Sequence, residues 1–485
     1  QANSDASMAL ARRVRRGLLF RRLFPVGHPT RPPGGIERSP NPLRAGGPTF
    51  SRATGAKHVT ARALAEWNPL RRVVMRPPGL EAFFGLLEPY FSLYERVFSL
   101  SKARREHEGL VETLRSTFGV QVLGLDQLLL EAAGRHPAVA QELYDRVGRT
   151  VLFRGPGAPR ARREFEESLR VLDGEQLLQT LVLAPEVAFE RRRGARSVAS
   201  FTTLRMPLTN LFFLRDQQAV TDRGIVVGRL AKPQRRRETE ITEFAWRALG
   251  EPPVARIRRG TFEGGDFLPA GDFALLGQGD RTSRQGVEEF LASGVSVPEV
   301  AVVHQPRHPL LSAPDPMVNM HLDTYLNFPG EGIAVGYREM LQAARVEVYV
   351  RDGGVYHRSH ETHLLDYLEN GHRFRVLNIS TLEQLCYATN FLTIRDRTIV
   401  VPDVARNAEK VLANLRRAAE RQPNRYYRLY LRAAREFGEL RAEGRFFPNT
   451  PDARSIGLDA VQVSLENLTG AYGGAHCLTA TIERS

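Results

Sequence analysis

An α/β fold is predicted by three segments that share one grammar of helix, glycine and strand. A helical pattern over Thr239–Leu249 stops at Gly250 before Val254-Ala255-Arg256-Ile257. Another over Arg284–Ala292 stops at Gly294 before Val295–Val303, and a longer one over Leu93–Phe118 stops at Gly119 before Val120–Leu123. Apolar residues at helical spacing, a glycine ending the helix in a left-handed turn, and a short β-branched run are the marks of α/β units. The repeats alone fit a doubly wound sheet and a closed ring of units equally well.

At 485 residues, 42% hydrophobic and 25% charged, the chain has the make-up of a globular protein with a large core. No apolar run reaches the roughly 18–20 residues of a membrane span, so no membrane partner is expected. The net charge of +14 is uneven: residues 1–57 hold eleven Lys+Arg against Asp5 and Glu37, or +9, leaving +5 for the rest. Only Lys57, Lys102, Lys232 and Lys410 are lysines, so 64 of the 68 basic residues are arginine, which points to a coding bias rather than a phosphate-binding surface. Without a zinc-finger spacing or a basic stripe interleaved with aromatics, nucleic acid is not expected as a partner.

Taken in order, residues 1–57 read as a basic, Pro/Gly-rich extension outside any core, and 58–485 as the globular body. The run from Met8 is arginine-rich and acid-poor, as in an organelle transit peptide or an over-long reading frame. The expected location is cytoplasmic, or an organelle matrix if the extension is a transit peptide. Arg71–Met75 reads as a strand ended by Pro77-Pro78. Residues 126–200, rich in Leu, Glu, Arg and Ala, read as a helical insertion. Residues 405–447 read as a second, of two helices, before the strand Val461-Gln462-Val463. Cys386 and Cys477 are the two cysteines, with no CxxC spacing for zinc or redox chemistry, and Cys386 in its apolar setting reads as a buried structural thiol.

Three polar segments and a C-terminal thiol carry the chemistry. Asn210-Leu-Phe-Phe-Leu-Arg-Asp216 ends a strand-like run in an acid beside an arginine; alone it reads best as a structural ion pair. In Glu263-Gly264-Gly265-Asp266, two carboxylates flank glycines that let backbone approach a ligand, though an ordinary glycine turn has the same look. In Met320-His321-Leu322-Asp323, a strand would project His321 and Asp323 to one face. Cys477 follows Gly473-Gly474-Ala475-His476. A thiol, an imidazole and several carboxylates suit attack on a flat cationic carbon such as that of a guanidinium group. His357-Arg-Ser-His360-Glu-Thr-His363 is not HExxH and reads as a polar loop leading into a helix at Thr362–Glu369, so no metal is expected.

Together and in this order, NLFFLRD, FEGGDF, MHLDT and GGAHC resemble arginine deiminase and the wider guanidine-modifying superfamily, over roughly residues 66–485 apart from 405–447. The resemblance implies a five-bladed α/β propeller with its site on the axis, and no cofactor. It implies Cys477 as nucleophile, His321 as acid and base, and Asp216, Glu263 and Asp323 as holders of the guanidinium. A planar fork of N–H donors matches paired carboxylates, which agrees with those roles. It further implies that Asn210, Arg235 and Arg281 hold the α-carboxylate, that Phe213 packs on the aliphatic stem, and that Gly473 and Gly474 let the nucleophile loop reach substrate. One position departs: the family's arginine five residues before the cysteine is Tyr472 here, which offers one hydrogen bond where a bidentate cation is usual.

The expected activity is therefore hydrolysis of L-arginine to citrulline and ammonia through a covalent thiouronium. An amidinotransferase or a deiminase of another guanidine is the first alternative, and a non-catalytic basic binding protein the remote one. The sequence leaves the oligomeric state open, a homo-oligomer included.

Overall fold

Five units with one internal pattern carry the site, and in each a strand runs antiparallel to a middle strand that is parallel to a third; in the third unit Arg345–Asp352 and Val355–His363 extend the sheet to five strands. The computed structural model describes residues 61–191, 198–313, 315 and 318–485; the basic extension expected over 1–57 lies outside them. In the first unit the C-terminal strand Ala480–Arg484 pairs with Leu70–Met75, and that with Gln121–Gly124. The others are Gln218–Val220, Ile225–Val227, Ala255–Arg256; Phe267–Pro269, Phe273–Gln278, Glu299–His304; Leu326–Gly330, Ile333–Gly336, Arg375–Asn378; and Leu392–Arg395, Thr398–Pro402, Asp459–Val463. An antiparallel pair closes with a tight turn, whereas a parallel pair needs a crossover, which is where the helices fall. Glu238–Leu249 and Arg284–Ser293 are two such crossovers. The middle strands Ile225–Val227, Ile333–Gly336 and Thr398–Pro402 are buried along their whole length, as strands covered on both faces must be.

The helical stretches take specific places in this frame. Val404–Arg421 and Pro423–Glu443, the two helices expected within 405–447, form the crossover between Thr398–Pro402 and Asp459–Val463. The stretch 126–200 lies between the first and second units and is not purely helical. After Leu125–Arg135 and Pro137–Thr150 it builds a three-stranded sheet of Leu152–Arg154, Pro185–Arg191 and Val198–Leu204.

Other local expectations are corrected. The helix expected over Leu93–Phe118 begins only at Leu100, where Ser99 accepts a bond from the Lys102 amide, and it ends in a π-helical turn over Thr113–Thr117. Gly119 and Gly250 have the left-handed φ of 66° and 83°, but Gly294, at φ −92°, ends its helix without one. The strand expected over Val295–Val303 is Glu299–His304. The histidine-rich segment is no loop: Val355–His363 is a strand paired with Arg345–Asp352 across Gly353-Gly354, and helix resumes only at Leu364. Asn210–Asp216 forms turns, not a strand.

Candidate active site

The residues singled out by chemistry sit in the loops that lead into the first strand of each unit. Asp216 precedes Gln218–Val220, Glu263 and Asp266 precede Phe267–Pro269, His321 and Asp323 precede Leu326–Gly330, and Cys477 precedes Ala480–Arg484. Asn390 holds the matching place before Leu392–Arg395. A single narrow pocket, with a cavity volume of about 10 Å³, brings together Cys477, His321, Asp216, Arg235, Arg281 and Asn210, with Phe213 and Tyr472 among its apolar walls.

His321 is the hub. Leu322–Thr324 is a 3₁₀ turn, not the expected strand, and His321 and Asp323 bond different partners, Glu263 and His476. The His321 Nε2 lies 2.8 Å from Glu263 Oε2, and its Nδ1 is 3.6 Å from Asp216 Oδ1. A Cβ on Gly265 would sit 2.9 Å from the imidazole, so one glycine of the Gly-Gly pair makes room for His321 rather than for a ligand. Burial alone would lower the His321 pKa, but Asp216, the bond to Glu263, and Asp266 outweigh it and raise it to about 9. Burial likewise works against a charged Glu263, yet Arg281, His321 and Arg235 hold its carboxyl well below the usual range. Imidazolium and carboxylate are thus the resting forms at neutral pH.

Asp323 faces Cys477. Its Oδ2 lies 2.8 Å from His476 Nδ1 and 3.7 Å from Cys477 Sγ. Burial, then the negative charges of Asp323 and Asp216, push the Cys477 thiol well above its ordinary pKa. In this state it is a thiol.

The loop of Gly473–Cys477 is held by a residue that sequence reasoning missed. Asn390 Oδ1 accepts from the amides of Gly474 (2.8 Å) and Cys477 (3.1 Å), and its own carbonyl accepts from the His476 amide at 3.0 Å. A Cβ on Gly473 would lie 2.8 Å from Phe213 Cζ and 3.0 Å from Cys477 Cβ, so only glycine lets this loop lie on the Phe213 ring. His476 and Asp266 stand inside the GGAHC and FEGGDF segments, and their roles emerge only from the structure. Asp266, its pKa raised to about 6 by burial, accepts from Thr282 Oγ1 at 2.6 Å and from the Leu322 amide at 3.1 Å, tying the Glu263 loop to the His321 loop.

The two arginines expected at the far end of the substrate are engaged with carboxylates. Arg235 Nη1 lies 2.6 Å from Asp216 Oδ2, while its Nε and Nη2 bond Glu238 Oε2 at 3.1 and 2.9 Å. Arg281 Nη1 is 3.4 Å from Glu263 Oε2 and Nη2 is 3.8 Å from Met320 Sδ. The Asn210 amide donates to the Ser92 carbonyl at 2.7 Å. Asp216, Glu263 and His321 bring possible ligand atoms within 4.8 Å of one another, but protein cations already pair with both carboxylates.

The family model and the curated relatives name one family. Residues 91–484 match the family model for arginine deiminase. The arginine deiminase of Halobacterium salinarum is 26% identical over 359 residues, 60% of this chain and 73% of that protein. That of Rhodococcus opacus is 30% identical over 294 residues, 57% of this chain and 68% of the relative. Solved structures give looser likenesses. Dimethylarginine dimethylaminohydrolase from Pseudomonas aeruginosa, complexed with citrulline, shows 15% identity and a TM-score of 0.42 over 85% of this chain and 98% of the other. The N-terminal domain of ArgZ, a cyanobacterial arginine dihydrolase, shows 13% identity and a TM-score of 0.43 over 85% and 97%. By a family model that spans most of its length, the chain belongs to the arginine deiminase family.

Proposed function

We propose that this protein hydrolyses L-arginine to citrulline and ammonia. The observation that carries this reading is one pocket holding a lone thiol, an imidazolium braced by two carboxylates, and two buried arginines. The guanidinium of the substrate lies between Asp216 and Asp323, with Phe213 against the aliphatic stem and Arg235 and Arg281 toward the α-carboxylate. Burial and then the charges of Asp323 and Asp216 keep Cys477 protonated; a guanidinium arriving beside both carboxylates offsets the charge part, and the thiol releases its proton to solvent to give the thiolate beside the bound cation. Sγ attacks the guanidinium carbon, and His321, protonated at rest, gives its proton to the departing nitrogen, which leaves as ammonia. The neutral imidazole then takes a proton from water as it attacks the thiouronium. Collapse expels the Cys477 sulfur and yields citrulline. The chemistry asks for no metal or organic cofactor.

The shared strand pattern supports a five-bladed α/β propeller of the pentein kind, the five leading loops meeting at its axis. Residues 58–485 then form one catalytic body interrupted at 126–200 and 405–447. The test is incubation of purified protein with L-arginine, with citrulline and ammonia quantified in equal amounts. Ornithine in place of citrulline, appearing only when an amine acceptor is added and without ammonia, would overturn hydrolysis in favour of amidino transfer.

A further inference from the structure

Arg235 is held by two carboxylates at once, and only one of them lines the pocket. Asp216, the pocket carboxylate, takes Nη1; Glu238, wholly buried and not lining the pocket, takes the Nε–Nη2 edge. Glu238 is in turn fixed by Gln217, whose Nε2 donates to Oε2 at 2.6 Å. It sits at the start of the helix Glu238–Leu249, three residues from Arg235, so its backbone is anchored. Without substrate, Arg235 therefore occupies the carboxylate that the guanidinium must use, while Asp216 Oδ1 and His321 Nδ1 have no hydrogen-bond partner among the described residues.

We propose that Glu238 is a positioning residue for an exchange of ion pairs on which the choice of L-arginine rests. When substrate binds, its guanidinium takes Asp216, and Arg235 Nη1 passes to the substrate α-carboxylate while the Nε–Nη2 edge stays on Glu238. The exchange conserves charge: one carboxylate loses a protein cation and gains the substrate's, and the freed cation gains the substrate's anion. A guanidine without a carboxylate breaks the Arg235–Asp216 bond and offers nothing in return, leaving the buried Arg235 Nη1 without an acceptor while Glu238 still pairs the other edge. The selection resembles that of other sites built for a partner group, which reject the analogue that lacks it. Tyr472, standing where the family has an arginine, leaves Arg235 a larger share of this task. This inference rests on the arginine-hydrolase reading above.

The test compares wild type, Glu238→Gln, Arg235→Met and the double variant for kinetics with L-arginine and agmatine, and for thermal stability. Glu238→Gln should raise KM for L-arginine roughly 10- to 100-fold, the worth of one charge-assisted bond, with kcat changed far less. The preference for arginine over agmatine should fall by a similar factor. If Glu238 acts through Arg235, the double variant loses no more than Arg235→Met alone. That comparison stands even if Glu238→Gln fails to fold, since removing both partners of a buried pair is better tolerated than removing one. Additive losses, or a Glu238→Gln enzyme with lower stability but unchanged KM and selectivity, would overturn the exchange. A wild type that turns over no L-arginine would instead overturn the activity itself.

Discussion

Glu263 Oε2 lies 2.8 Å from His321 Nε2, and the bond keeps both partners in their charged forms. Because the folded-state pKa of His321 is raised from 6.5 to about 9, its contribution to stability is fully present below pH 6.5 and is lost as pH rises through 9. The melting temperature should therefore fall across that window. The alkaline limb of kcat should lie in the same region, because expulsion of ammonia needs the imidazolium. Glu263→Gln removes the anion from this bond and should move the limb toward lower pH, alongside a large loss of rate. A limb that does not move would place the titrating proton on a group other than His321.

The two thiols are expected to behave oppositely. Cys477→Ser should abolish turnover in a folded protein, since a hydroxyl with no dedicated base is a far weaker nucleophile. Cys386 is fully buried, and burial pushes its thiol well above the ordinary pKa, so it is an inert core residue. Cys386→Ser should keep turnover near wild type but lose about 1–3 kcal/mol of stability, the cost of a buried unsatisfied hydroxyl. Alkylation of the substrate-free enzyme should be slow at neutral pH at both positions, which mass spectrometry can follow. Rapid labelling of Cys477 would show that the resting form is already a thiolate.

Asn390 is predicted to matter as much as a residue that touches substrate. Asn390→Ala leaves the amides of Gly474 and Cys477 without their acceptor inside the protein, at about 1–3 kcal/mol for each. The nucleophile loses its fixed approach, so kcat should fall roughly 10- to 100-fold while KM changes less. Asn390→Asp keeps an acceptor for both amides but adds a negative charge beside a thiol already raised by Asp323 and Asp216. Its activity should recover only toward alkaline pH. Equal loss in both variants at every pH would separate the role of Asn390 from the charge state of the thiol.

How much of this was legible in the sequence depends on whether the signal is local. Cys477, His321, Glu263 and Asp216 each stand in a short segment whose residue types announce chemistry, and the structure brings all four to one site. Asn390 carries no such mark among Ala388-Thr389-Asn390-Phe391. Its role comes from its place before the first strand of the fifth unit, a position visible only once the five units are aligned. The two-residue spacing of His321 and Asp323 misled because the segment folds as a 3₁₀ turn and not a strand, and the two side chains bond different partners. The strand Val355–His363 was hidden by its three histidines and Arg358, a polar run without an apolar alternation. Its signal lay outside it, in Asp352-Gly353-Gly354, where positive φ of 54° and 88° turns the chain into a hairpin. The pairing of Arg235 with Glu238 is also local, three residues along the chain, but within a run of three arginines nothing shows which one is buried.

Tyr472 offers the last prediction. It adopts φ 70°, a left-handed conformation that costs a non-glycine residue roughly 1 kcal/mol. Its ring lines the Cys477 pocket on one side. On the other it lines a second cavity with Glu95, Asp315, Asn414 and Tyr426, against the helices Val404–Arg421 and Pro423–Glu443. Tyr472→Gly relieves the backbone but joins the two cavities. The gain and the lost ring contacts act in opposite directions, so the melting temperature should change little. KM for L-arginine should rise, because the wall that closes the pocket is gone. Tyr472→Phe, which keeps the wall and loses only the hydroxyl, should stay within a few-fold of wild type if the ring acts by shape. A loss in Tyr472→Phe as large as in Tyr472→Gly would show that the hydroxyl bonds the substrate directly, taking up part of the task of the family's arginine.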